Sequence, residues 1–210
     1  ASGKLVKDEI TYQLIEESLK KETDFEKIGY IAYAGEVDAE GDLDLCFCDE
    51  KASEMLNLDT LLIKGKNPKN KNDIVADEEF FNELGYENVE VGDLIKISFR
   101  NSKDQKYQQY EFRVSGIYET NSEYSKSKTG YISSSFYSDL VSDEHSIVTV
   151  YFQLSQGTDI TTDNAEDVIY EIGEKYNIDK KDIAINTYYL TGVLDPGYAT
   201  IFFTVAIALF

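Results

Sequence analysis

Between Leu61 and Phe99 the chain carries consecutive instructions to turn, extend, coil and turn again, and few folds can obey all of them. Gly65 and Pro68 turn the chain out of a strand, and Ile74 with Val75 reads as a short buried strand. Asp77 is placed to cap a helix whose Phe80, Phe81 and Leu84 pack on that strand, and Gly85 stops the helix. Val91-Gly92-Asp93 then bends the chain into a strand over 94–99, with Gly92 permitting a positive φ.

The segments on either side read in the same terms. Over 4–21, Leu5, Val6, Ile10, Leu14, Ile15 and Leu19 recur at helical spacing. A β-branched and aromatic run over 28–34 and the strict alternation Leu43-Asp-Leu-Cys-Phe-Cys flank an acidic turn, which predicts a hairpin. A short helix is expected over 50–57 and a strand over 58–63. Downstream, strands are expected over 110–118, 130–133, 146–154 and 183–185, with helices over 135–140 and 163–176. In the last helix Ala165, Val168, Ile169, Ile172 and Tyr176 would form the inner face. This order is α+β, with a β-rich middle that reads as a lobe of its own.

Composition narrows the function. Forty acids against twenty basic residues give a net charge of −20, which disfavours a nucleic-acid partner. The one dense basic run, 64–71, has no interleaved aromatics and reads as a solvated loop. Cys46 and Cys48 stand in a C-x-C that would strain a disulfide, so both read as small core side chains. A single histidine, His145, lies before a strand with no nucleophile motif near it, and reads as a surface loop residue. Gly65-Lys66 lacks the upstream glycine of a phosphate loop. A catalytic site is therefore not expected.

The stretch from Glu36 to Phe47 spaces its acids as a calcium loop does, with Gly41 at the sixth position. Phe47 nevertheless stands where the bidentate Glu is needed, and the flanks have the period of strands. Ala39-Glu40-Gly41-Asp42 is expected to be a hairpin turn in which Gly41 takes the unusual backbone angles. Asp38, Glu40, Asp42 and Asp44 are the residues that would hold calcium if any did. No other cofactor is indicated. From Gly197 to Phe210 the chain has no charged residue; this is expected to be the start of a truncated membrane helix, the competing reading being a buried helix or strand.

Leu61-Leu-Ile-Lys-Gly-Lys-Asn-Pro, then Asp73-Ile-Val-Ala-Asp and the helix to Leu84-Gly85, is followed by Val91-Gly92-Asp93-Leu-Ile-Lys-Ile and by Phe112-Arg-Val-Ser-Gly-Ile-Tyr. This succession resembles the extracytoplasmic domain of FtsX-like (MacB-like) ABC transporter permeases of the Gram-positive type, with Asp73 where the family usually has Glu. The motif residues are Gly65, Pro68, Ile74, Val75, Asp77, Leu84, Gly85, Val91, Gly92, Asp93, Val114 and Gly116. The resemblance implies two lobes: a mixed α/β, porter-like lobe near the membrane, formed by 28–58 and 119–190, and a β-rich, sabre-like insert over 59–118. It also implies a juxtamembrane amphipathic helix over 1–27 and a C-terminal stalk leading into a membrane helix over 191–210.

The implied partners are the permease's own membrane helices, a cytoplasmic ABC ATPase, a second permease copy, and an extracellular peptide, lipoprotein or envelope protein. The implied location is the outer side of the cell membrane. Under this reading the domain is non-catalytic and carries no cofactor; it couples ATP hydrolysis in the cytoplasm to export or to force on something outside. The alternative is a free-standing secreted or surface-anchored binding module, using its acidic loops for calcium, and a small hydrolase ranks third. The sixteen tyrosines suit a recognition surface or an ordinary half-buried sheet.

Overall fold

The structure is a computed structural model that describes residues 25–101, 106–119, 128–140, 148–154, 165–175, 179–180, 183–185 and 202–206. Within it the protein is α+β, and the chain divides into two compact units. The first comprises 1–31, 50–55 and 146–210; the second comprises 32–49 and 56–145. The lobe boundaries implied by the resemblance, at 58/59 and 118/119, do not coincide with this division.

The second unit is built on paired strands. They are β1 (Phe25–Val37, which enters this unit at Ala32), β2 (Leu43–Cys48), β3 (Leu62–Gly65), β4 (Asp73–Asp77), β5 (Leu94–Arg100), β6 (Gln108–Tyr118) and β7 (Lys128–Ile132). Their pairings run β1-β2-β7-β4-β6-β5 and back to β1, a circuit of six strands that closes on itself. β2 lies parallel to β7 and β4 parallel to β6, whereas β5 is antiparallel to both β6 and β1. Among the described strands of this unit only β3 stands off the circuit, antiparallel to β6.

Closing a sheet gives it an inside, and the alternation of each strand fills that inside. Ala34 and Val37 of β1, Leu43 and Leu45 of β2, Ile74 and Ala76 of β4, Ile95, Ile97 and Phe99 of β5, Phe112, Val114 and Ile117 of β6, and Ile132 of β7 share one buried cluster. Two helices add aromatic rings to it: α3 (Glu78–Glu83) supplies Phe80 and Phe81, and α4 (Ser134–Leu140) supplies Phe136. The Phe136 ring lies 4.8 Å from that of Phe112 and edge-on to Tyr110 at 5.4 Å. A smaller cluster of Leu58, Val75 and Tyr118 includes α2 (Leu58–Leu61).

The first unit contains the start of β1, α1 (Glu50–Met55), β8 (Val148–Leu154), α5 (Ala165–Lys175), β9 (Ile183–Ile185) and β10 (Phe202–Ala206). β10 pairs antiparallel with β8 on one side and β9 on the other. Lys27 reaches Glu54 of α1 at 3.6 Å.

Several expectations are corrected. Residues 58–61 are a helical turn and the strand begins at Leu62, because left-handed Asn57 starts the turn and Thr60 Oγ1 donates to the Asn57 carbonyl. Phe202–Ala206 is a strand, not the start of a helix; Phe202, Phe203, Thr204 and Val205 are residues a pleated sheet accommodates well. No helix among the described residues is long and apolar enough to cross a membrane. Gly41 is not among the glycines with positive φ, so the acidic turn bends without it. The expected helix over 4–21, His145 and most of 191–210 lie outside the described residues, as do the inner-face side chains of α5.

Candidate interaction surface

Eight of the motif residues meet at one joint. Val114 and Gly116 occupy the point where β6 changes partner. On one side Ile74 faces Val114 and Val75 faces Gly116, with a register shift between the two pairs. On the other side Gly65 faces Gly116, and the Val91–Asp93 turn docks by Gly92 N–H donating to the Val114 carbonyl (2.8 Å) and Val114 N–H donating to the Asp93 carbonyl (2.9 Å). Gly65 has φ +77°, and a Cβ there would stand 2.2 Å from the Ser115 carbonyl oxygen. No other residue fits that backbone and that gap. Gly92, as expected, has φ +105°.

Asp93 closes its own turn, its carboxylate accepting from Glu90 N–H at 2.9 Å. Asp77 caps α3, accepting from Phe80 N–H at 2.8 Å. The helix ends in a Schellman motif: Tyr86 N–H donates to Phe81 O, Gly85 N–H donates to Asn82 O, and Gly85 has φ +82°. Leu84, Gly85 and Asp77 thus shape the helix and stand apart from the joint, while Pro68 sits in the loop that follows β3.

That loop is held by a buried carboxylate. Asp73 is 1% exposed. One oxygen accepts from Arg113 Nε (3.1 Å) and Nη2 (2.5 Å), and the other from Asn70 N–H (2.8 Å), Asn70 Nδ2 (2.8 Å) and Lys69 N–H (3.2 Å). Burial pushes this carboxyl up, but the bonds from Asn70, Arg113 and Lys69 outweigh it and hold it below the usual carboxylate range. Further pins are the Tyr118 hydroxyl on Asn67 Oδ1, Asn67 Nδ2 on Asp59, Ser133 Oγ on the Lys71 carbonyl and Lys66 N–H on the Ser115 carbonyl. Sequence reasoning missed Arg113, Asn67 and Asn70. Only the alternation placing Arg113 between buried Phe112 and Val114 hinted at one of them.

The acidic turn is arranged differently from a metal loop. Glu36 accepts from Arg100 Nη2 (2.8 Å) and from the Tyr107 hydroxyl (2.9 Å), and these two bonds hold its carboxyl low. Asp44 is half-buried, and burial followed by the charges of Glu36 and Asp42 pushes its carboxyl up. Lys128 bridges Glu79 and Glu83 of α3. Among the described residues no three His, Cys, Asp or Glu side chains come together to hold a metal ion, so Asp38, Glu40, Asp42 and Asp44 are not gathered into a calcium site. Cys46 and Cys48 are free; burial pushes the Cys46 thiol up to about 12 and Cys48 in the same direction. Neither is held as a thiolate at neutral pH, so neither is an activated nucleophile.

No family model and no curated protein matches the chain. Among solved structures, the extracellular domain of the noncanonic ABC-type transporter YknZ from Gram-positive bacteria is similar at a TM-score of 0.49 and 11% identity, over 81% of this chain and 86% of that one. At that score nothing about function is carried from YknZ to this chain.

Proposed function

We propose that the chain is the non-catalytic extracellular domain of an ABC transporter permease subunit of the FtsX-like (MacB-like), Gram-positive type. It would couple ATP hydrolysis by a separate cytoplasmic ATPase to export, or to force on a peptide, lipoprotein or envelope protein outside the cell. The observation that carries this reading is the motif run from Leu61 to Tyr118, whose Gly65, Ile74, Val75, Val91, Gly92, Asp93, Val114 and Gly116 serve one structural joint. A motif whose members depend on one another in this way resembles its family for a physical reason, since loss of any one spoils the seat of the others. The domain would stand on the outer face of the cell membrane and use no cofactor.

Expression of the complete gene tests the reading. In intact cells an added protease should cleave the domain while the remainder stays in the membrane fraction, and an ATPase encoded beside the gene should co-purify with it. Release of the whole product into the medium, with no membrane-embedded remnant, would favour a free-standing binding module.

A further inference from the structure

Among the described strands of this unit the six-strand circuit leaves β3 alone outside it, and β3 carries unusual company for a chain of charge −20. β3 is bonded to β6 along one edge, and no described strand pairs with its other edge. Its Ile63 sits at a register shift and is 52% exposed. Val91, which packs against Gly65, is 45% exposed, and Leu94 just beyond it is 64% exposed. Three of the large hydrophobic side chains left in solvent therefore lie along β3 and the turn beside it.

The chain leaves β3 through Lys64, Lys66, Lys69 and Lys71, without an acid until Asp73. Lys71 pairs with Asp139, whereas Lys64, Lys66 and Lys69 form no ion pair among the described residues. Lysines on an exposed edge can merely deter aggregation. A deterrent does not need a rigid mount, yet the backbone here is fixed by Asp73, Asn67, the Lys66 N–H bond to Ser115 and the Ser133 bond to Lys71. With the backbone already fixed, an arriving anion has only the lysine side chains left to order, not the loop that carries them.

We propose that the outer edge of β3, with Lys64, Lys66 and Lys69, is a docking site for an extended acidic segment of another polypeptide. Such a segment would add its backbone to β3 as a further strand, place aliphatic side chains on Ile63 and Val91, and pair its carboxylates with the three lysines. An anionic bilayer fits less well. A plane would also meet the exposed Glu87, Glu90 and Asp93 beside Val91 and Leu94, and a body of charge −20, whereas a short segment can run along β3 and its lysines and meet far fewer of those acids.

Random peptides displayed on phage and selected on the immobilised full chain test this, with the triple variant Lys64→Ser, Lys66→Ser, Lys69→Ser selected in parallel. The expected outcome is enrichment of acidic sequences alternating with aliphatics on the wild type, and their loss on the variant. The best such peptide, fluorescently labelled, should bind the triple variant at least about tenfold more weakly, weaken with added salt, and bind Ile63→Asp more weakly too. Lys96→Ser should bind it as the wild type does. Circular dichroism melts establish that each variant is folded. Peptides without acidic bias, no enrichment, or equal binding by the triple variant would overturn the proposal. So would sedimentation of the wild type, but not the triple variant, with phosphatidylglycerol vesicles.

Discussion

Asp73 and Asp44 are both carboxylates withdrawn from solvent, and they respond oppositely to pH because hydrogen bonds outweigh burial at Asp73, whereas at Asp44 burial, with neighbours of its own sign, outweighs the one bond from Tyr33. For Asp73 the folded state holds the ionised form, so its contribution to stability is complete above the ordinary carboxylate pKa of 3.8 and is lost as pH falls through the lower folded value. Asp73→Ala is expected to cost about 3 kcal/mol in urea unfolding at neutral pH, at the low end for a buried pair because Arg113 is half exposed. For Asp44 the folded pKa is raised, so a penalty sets in as pH rises from 3.8 and is complete above the folded value. Asp44→Asn should therefore raise the midpoint of urea unfolding at pH 7 and lose this advantage as the pH falls below the carboxylate range.

At the scale of elements, the joint at Val114–Gly116 and the two ends of α3 offer sharper tests. Gly65→Ala forces a Cβ against the Ser115 carbonyl at a positive φ, and should cost more than Gly92→Ala, where a Cβ meets nothing within 4 Å and only the backbone strain of the positive φ is felt, on the order of 1 to 2 kcal/mol. Asp77→Ala removes the helix cap and should cost about 1 kcal/mol by thermal or urea melts. These are positions where local chemistry dictates local shape, and for that reason the cap, the Gly85 stop, the Gly92 turn and the buried Ile74–Val75 strand were legible before any coordinates. Partner choice was not. Nothing in the alternation of β2 says that it lies parallel to β7, or that β5 returns to β1, because period-two patterning reports a buried face and is silent about neighbours. The turn at 58–61 was misread because Leu61, Leu62 and Ile63 look extended, while the helical signal rests on Asn57 and Thr60. The bonds of Asp73 to Arg113, forty residues on, likewise have no local trace.

For the second unit as a whole, closure concentrates the apolar interior around few large rings. Phe136 reaches Phe99, Tyr110 and Phe112 at once, and Phe136→Ala should cost about 3 to 5 kcal/mol and lower the cooperativity of unfolding. Residues from all six strands and two helices share this interior, so loss of its central ring is felt by every strand. These residues run from Ala34 to Phe136, so no stretch shorter than 34–136 contains the full set.

The circuit is not equally strong all the way round. β5 and β6 match six residue pairs, whereas among the described residues two seams match only two each: β4 with β7, through buried Ile74, Val75 and Ile132 with Tyr131, and β1 with β5, through Glu36 with Arg100 and Val37 with Phe99, helped by Asp38 N–H on the Ser98 carbonyl; of the two, the second holds the half-exposed side chains. The Glu36–Arg100 pair, with Tyr107 laid over the guanidinium, fastens this short seam like a clasp. A ring of strands that opens does so first at its clasp, so amide hydrogens of 36–38 and 98–100 should exchange before those of 110–117. Glu36→Gln should quicken exchange at the first set alone, and uniform exchange around the ring would show that the seam is no weaker than the rest.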